Sequence, residues 1–157
     1  MFRRWHQVTA LALTAALITS SCGGKDPEGP TVAEAEKSLR AQVNAALGGA
    51  APRNPKVTDP GGRDLPCEQG KVKRTYAVVA ENKTSAALTP VEIKNRMVGS
   101  LSKLTEFTIT EDNRATYDGE PSQIKIHNKV TRTWLRLSVP SRKKIEVHGA
   151  TECLRRG

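Results

Sequence analysis

The sequence has few residues that could carry chemistry. Among its 157 residues there are three cysteines and three histidines, and aromatic residues make up 4%. It contains no G-x-S-x-G elbow, no phosphate-cradling glycine loop and no zinc-ligand spacing. Because nucleophilic catalysis needs a base beside the nucleophile, these absences argue against an enzyme. We interpret the chain as a non-enzyme without metal or cofactor, with a mainly aliphatic core.

Four acidic residues leave one enzymatic alternative open, a hydrolase that uses paired carboxylates. They flank predicted turns, where solvated acids are common, and we favour that simpler interpretation. The four residues are Glu111, Asp112, Asp118 and Glu120.

The sequence also lacks a hydrophobic run long enough for a transmembrane helix. Its longest apolar run covers residues 8–18, whereas a spanning helix needs about 20 residues. This run follows the cationic residues 1–7 and precedes the small residues 19–21. The order is typical of a secretory signal peptide, which we assign to residues 1–21.

Cys22 directly follows those small residues. The arrangement resembles the lipobox of bacterial lipoproteins, in which the peptide bond before the cysteine is cut and the thiol is acylated with fatty acids such as palmitate. Thr19 departs from the family, which usually has leucine there. The resemblance implies a lipid anchor at Cys22 and a location on the extracytoplasmic side of the cell membrane. The alternative is an ordinary signal peptide before an unmodified cysteine.

Residues 22–30 are rich in glycine and proline and predict a flexible tether. The remaining residues, 31–157, suit a single small domain. The chain carries a formal charge of +9, which favours anionic neighbours such as phospholipid headgroups, phosphate-bearing wall polymers or acidic proteins. Nucleic acid is a poor candidate outside the cell.

The other two cysteines, Cys67 and Cys153, are predicted to form a disulfide, because an even pair in an oxidising compartment usually does. Metal ligation and a catalytic thiol are the alternatives. Both lack partners, since only His127 and His148 remain in the processed chain.

Two capping boxes predict two helices. Thr31 with Glu34 begins the first, and a glycine pair ends it. Thr89 with Glu92 begins the second, which has proline at its first position and ends near Leu104.

Shorter patterns predict strands around these helices. Residues 71–80 and 106–110 alternate as strands, while residues 111–122 are polar and turn-rich. Residues 50–66 contain four prolines and two glycines and predict a long segment without secondary structure. On the first strand Tyr76, Val78 and Ala80 share one face and Ala77 and Val79 share the other. On the second strand Phe107 and Ile109 are expected to face the core.

The last third predicts a three-stranded meander. A two-residue turn at Asn128 and Lys129 would pair Ile126 with Thr131. A second turn is predicted at residues 140–143. The fold class is therefore α+β, with two helices on one face of an antiparallel sheet that ends in the meander. The expected inward residues are Ile124, Ile126, Leu135, Leu137, Val139, Ile145 and Val147.

The order of these features resembles the small secreted lipoproteins of actinobacteria. The resemblance depends on the lipobox, on Leu65-Pro66-Cys67, on a strand containing Tyr76, and on Thr151-Glu152-Cys153-Leu154. It implies a fold and a location, and it brings no activity with it.

The polar face of the meander is the candidate binding surface. A tryptophan among cations is typical of recognition surfaces, and the charges would attract an anionic envelope component or protein. The alternative is a solvated sheet face on which arginine stems cover the tryptophan. On the predicted register this face carries Lys125, Arg132, Trp134, Arg136 and His148, with Glu146 as its only acid.

Two classes of function follow. The first is a membrane-anchored interaction domain of the cell envelope, and the second is a carrier of a small apolar ligand held beneath the first helix. A cavity inside the fold would favour the carrier, and a filled core would favour the interaction domain. A subunit of a larger complex, the third alternative, would expose a large apolar patch.

Overall fold

A computed structural model describes residues 29–83, 87–113 and 120–157. The signal peptide and Cys22 lie outside these residues, so the lipid anchor stays a prediction. No helix within the described ranges is long and apolar enough to cross a membrane. The helices and longer strands are α1 (Val32–Gly49), β1 (Pro52–Asp59), β4 (Thr75–Asn82), α2 (Pro90–Ser102), β5 (Thr108–Asn113), β6 (Ser122–Asn128), β7 (Thr133–Ser141) and β8 (Lys144–Thr151), and the short strands are β2 (Leu65–Pro66) and β3 (Val72–Lys73).

The predicted α+β fold is confirmed. Six strands form one antiparallel sheet in the order β1-β4-β8-β7-β6-β5, and β2 pairs with β3 in a separate ribbon. Both helices pack on one face of the sheet, and β6, β7 and β8 form the predicted meander. We call the face opposite the helices the outer sheet face.

Both capping boxes are present. The Thr31 amide donates to a carboxylate oxygen of Glu34 at 2.8 Å, and the Glu34 amide donates to the Thr31 hydroxyl at 3.3 Å. Thr89 and Glu92 repeat this exchange at the start of α2, with the same distances. These bonds satisfy amides that a helix N-terminus otherwise leaves unpaired.

The core fills the space between the helices and the inner sheet face. The inward side chains predicted for β6, β7 and β8 are all buried, and so are Tyr76, Val78 and Ala80, which share one face of β4. The side chains that meet them from the helices are also apolar and include Leu39, Val43, Ile93, Met97 and Leu101, each fully buried.

The prediction that residues 50–66 lack secondary structure is wrong, because Pro52–Asp59 forms edge strand β1 along β4. An edge strand tolerates proline, since one side of its backbone needs no partner. Its six central residues are exposed. Main-chain pairing with β4 holds the strand, and its sequence lacks the alternation of buried and exposed side chains from which a strand is predicted.

The predicted two-residue turn after β6 is also wrong. Asn128 pairs with Thr133, so the loop has four residues, 129–132, and Ile126 pairs with Leu135. The pairing differs from the predicted one by four positions. Because this is an even number, every side chain keeps its predicted face.

The prediction that Ile109 faces the core is wrong as well. Its side chain is 48% exposed, and β5 continues to Asn113 through part of the predicted turn region. Phe107 precedes the strand and packs partly buried against the core. The other five residues of β5 are likewise at least partly exposed, because it is the edge strand at the far side of the sheet.

The predicted disulfide is confirmed. Cys67 and Cys153 are joined, with their Cα atoms 5.9 Å apart and a sequence separation of 86. The bond ties the segment after β8 to the chain between β2 and β3.

Candidate binding face

The structure places four of the five predicted face residues together on the outer sheet face. Lys125, Arg136 and His148 are consecutive cross-strand partners on β6, β7 and β8. Trp134 lies on the same face of β7, two residues before Arg136. Arg132 differs, because it lies in the loop before β7 with φ of 55°.

Trp134 is held against His127, a residue that the sequence interpretation left out of the site. The two rings stack with centroids 4.0 Å apart and an interplanar angle of 12°. His127 is the cross-strand partner of Trp134 on β6, so the two side chains share one face of the sheet. Trp134 remains 40% exposed, so one face of the indole is fixed while part of the ring meets solvent.

Glu152 links this ring pair to Arg132. One carboxylate oxygen lies 2.7 Å from Nε2 of His127, and the other accepts from Nε of Arg132 at 2.7 Å. Burial raises the pKa of Glu152, but the hydrogen bonds from His127 and Arg132 outweigh it and leave that pKa below its ordinary value. Glu152 is therefore an anion at neutral pH and forms an ion pair with Arg132.

The expectation that Glu146 is the only acid on this face is wrong. Glu111 on β5 forms an ion pair with Lys125, and Glu152 pairs with Arg132. Glu146 contacts Lys144 at 2.6 Å and His148 at 3.8 Å. Both Glu111 and Glu152 are far from their partners in sequence, so only the strand pairing reveals them.

Arg136 is the cation that these acids leave unmatched. It lies between Lys125 and His148 in the cross-strand row, and it makes no ion pair or hydrogen bond with any described residue. Its guanidinium therefore keeps five donors available for a carboxylate or phosphate.

A groove of about 390 Å³ runs over this part of the sheet, and we call it the Trp134 groove. Small residues leave it room, since Ala77 and Ala150 lie on its floor between Trp134 and strand β1. Its lining is completed by Asp59, Thr75, Tyr76, Lys125, Leu135, Arg136, His148 and Gly149.

Asp59 closes the groove on the side opposite Trp134. The Thr75 hydroxyl donates to it at 2.5 Å and the Gly61 amide at 3.0 Å. These two bonds, the hydroxyl first, hold the pKa of Asp59 below its ordinary value. The sequence interpretation missed Asp59 because it assigned no strand there. The groove thus has cations and an indole on one side and a fixed anion on the other.

Two of the acidic residues considered for hydrolysis are engaged by lysines. Glu111 pairs with Lys125, and Asp112 accepts from the buried Lys94 ammonium at 2.5 Å. Asp118 lies outside the described residues. Within the described ranges, no three His, Cys, Asp or Glu residues are grouped so that they could hold a metal.

Comparisons with known proteins add no relative to this picture. No protein-family model matches the sequence, and neither does any curated protein or solved structure.

Proposed function

We propose that the protein is a lipid-anchored, extracytoplasmic binding domain of the cell envelope, and that its Trp134 groove receives an acidic segment of an envelope partner. The observation that carries the proposal is the unmatched Arg136 guanidinium beside a half-exposed, immobilised indole. Tryptophan and arginine are the residue types that contribute most to binding energy at interfaces.

The His127 stack lowers the cost of using Trp134 for binding. A side chain that is ordered before it meets its partner loses little rotamer entropy on association, which is about 0.5–1.5 kcal/mol for a mobile one. The contact between Glu152 and His127 holds the imidazole in place, and the imidazole in turn holds the Trp134 indole. These contacts favour a preformed site.

The start of the described chain supports an envelope-facing role for this groove. A Cβ built at Gly29 would lie 3.7 Å from Cδ of Arg132, so the tether joins the domain beside the loop that leads into Trp134. Gly29 follows Cys22 by seven positions, which span at most about 25 Å. An anchor at Cys22 would therefore keep the Trp134 groove near the bilayer.

The filled interior favours this function over a carrier of an apolar ligand. Leu39, Ile93, Met97 and Leu101 are 0% exposed between the helices and the sheet, which is the space that a carrier would keep for its cargo. The Trp134 groove lies on the outer sheet face, where charged side chains suit an anionic partner better than a lipid.

The binding test compares two double variants of the processed protein. Trp134→Ala with Arg136→Ala removes the indole and the unmatched cation from exposed positions. Leu104→Ala with Arg96→Ala removes an apolar side chain and an arginine from the helical layer, with the same change in charge.

Both variants are crosslinked in the native envelope, and the captured partners are identified by mass spectrometry. We expect the groove variant to fold normally and to lose the partner that the wild type and the control variant retain. Equal capture by all three proteins would contradict the proposed site.

The anchor is tested separately. Mass spectrometry of the native protein should find residues 1–21 removed and acyl chains on Cys22, and Cys22→Ser should release the protein from the membrane fraction. An unmodified thiol or an uncut leader would contradict the anchoring and leave the groove test unaffected.

A further inference from the structure

A second groove on the outer sheet face lies at the end opposite the tether. It has a volume of about 760 Å³ and is formed by β1, the end of β4 and the turn between β7 and β8. Five cations line it, and we call it the basic groove. They are Arg53, Lys56, Lys83, Lys143 and Lys144.

Four of these five cations are electrostatically unmatched. Lys144 pairs with Glu146, whereas the other four make no ion pair with any described residue. The acid in the lining is Glu81, which accepts a hydrogen bond from the Asn54 side chain at 3.3 Å. The basic groove therefore carries more positive charge than Glu81, the acid in its lining, can neutralise.

The position of these cations follows from the backbone. Strand β1 breaks its register with β4 between Arg53 and Lys56, and Asn54 in that break has φ of 49°. Arg53 pairs with Glu81 and Lys56 with Val79, which place both cations on the outer sheet face. The two-residue turn of β7 and β8 brings Lys143 to the same groove.

Like charges that line one groove repel one another, and salt or a bound anion relieves the repulsion. Three separate chain segments contribute the four unmatched cations, so they face the groove from more than one side. This arrangement suits an anion with charges at several points along its length. A single small ion would leave most of the cations unmatched.

The shape of the groove selects the kind of anion. A volume of about 760 Å³ holds several units of a linear molecule, and a concave groove is a poor contact for a flat bilayer. Strand β8 runs from Lys144 at the basic groove to Thr151 near the tether, a distance of about 25 Å. The basic groove is therefore separate from the Trp134 groove and directed away from the anchored end.

We propose that the basic groove binds a linear anionic polymer whose charges are phosphate groups. Each phosphate offers several acceptor oxygens to lysine ammonium and arginine guanidinium groups. The site goes beyond the proposed function, since it is formed by other residues and takes a different class of ligand.

The test uses the purified processed protein and short-chain inorganic polyphosphate as the ligand, with binding followed by titration calorimetry. The groove variant combines Lys56→Gln, Lys83→Gln and Lys143→Gln. The matched control combines Lys37→Gln, Lys71→Gln and Lys103→Gln, three exposed lysines elsewhere with the same loss of charge. We expect the groove variant to bind polyphosphate about 10- to 100-fold more weakly, and added salt to weaken wild-type binding steeply.

Four further measurements test the alternatives to this proposal. If the control variant binds polyphosphate as weakly as the groove variant, binding depends on net charge alone. If the wild type binds inorganic phosphate as tightly as polyphosphate, the site holds a single ion and not a polymer. Equal affinity for poly-glutamate would remove the phosphate specificity, and preferential binding of phosphatidylglycerol vesicles would replace the polymer with a bilayer. Any of these results would overturn the proposal. The Trp134→Ala, Arg136→Ala protein should keep polyphosphate binding, which separates this site from the Trp134 groove.

Discussion

Gly149 of β8 lies directly against Leu39 of α1. A Cβ built at position 149 would lie 2.4 Å from Cδ1 of Leu39, well inside van der Waals contact. Leu39 is fully buried, so its side chain could move aside only by displacing its neighbours in the core. This close approach sets how near the first helix lies to the sheet.

Gly149→Ala should therefore destabilise the protein by about 1–3 kcal/mol, the usual cost of overpacking a filled core. Leu39→Ala opens space at the same point, so the double variant should be more stable than the sum of the two single effects predicts. Chemical denaturation of all four proteins measures this coupling. Strictly additive effects would show that the two residues do not compete for the same space.

The interior of this fold could be predicted from the sequence, because burial leaves a periodic pattern. Every inward residue predicted for β6, β7 and β8 is buried, although the predicted turn had the wrong length. The caps of both helices were also predictable, since each is a local contact between residues three positions apart.

Edge strand β1 was not predictable from the sequence. It nevertheless contributes residues to both candidate grooves. Strand β1 carries Asp59 of one groove and Lys56 of the other, yet its exposed residues have no alternation. Glu152 and His127 meet across 25 positions of sequence. Such contacts depend on strand pairing, which a single sequence does not encode locally.

Removing the disulfide with Cys67→Ala and Cys153→Ala should lower the free energy of unfolding by about 4–5 kcal/mol. The bond closes a loop with a sequence separation of 86, and the chain-entropy model assigns about this much to a loop of that length. Denaturant unfolding of the variant, with the wild type under reducing conditions as a second comparison, measures the effect. A loss below about 1 kcal/mol would mean that the unfolded chain gains little freedom when the bond is absent.

Asn128→Ala should cost about 1–3 kcal/mol, because it removes three hydrogen bonds made by a buried side chain and leaves the half-buried Thr131 amide without that partner. The Asn128 side chain is 1% exposed; it donates to the Thr105 hydroxyl and the Glu106 carbonyl and accepts from the Thr131 amide. Amide exchange at Thr131 should accelerate in the variant. Asn95→Ala, on the exposed face of α2, is the matched control and should change neither quantity.

Glu36 should make the stability of the domain depend on acid pH. Its carboxylate is only 7% exposed and accepts from Arg40 at 2.6 Å, from Arg74 at 2.9 Å and from the Gly62 amide at 2.9 Å. Burial raises the pKa of Glu36, but these three hydrogen bonds outweigh it and lower the pKa below its ordinary value. The folded state therefore binds the proton of this carboxyl less readily than the unfolded chain does.

A depressed folded-state pKa stabilises the fold at every pH above the unfolded value, which is about 4.3 for glutamate. That contribution is lost as the pH falls through the folded pKa. Glu36→Gln should thus lower the unfolding free energy by about 1–3 kcal/mol at neutral pH, and its difference from the wild type should shrink progressively below about pH 4. Denaturant unfolding over that pH range, with the exposed Glu68→Gln as control, measures the difference. A gap between wild type and Glu36→Gln that stays constant with pH would mean that the charge on Glu36 contributes nothing, and that the variant acts only through packing.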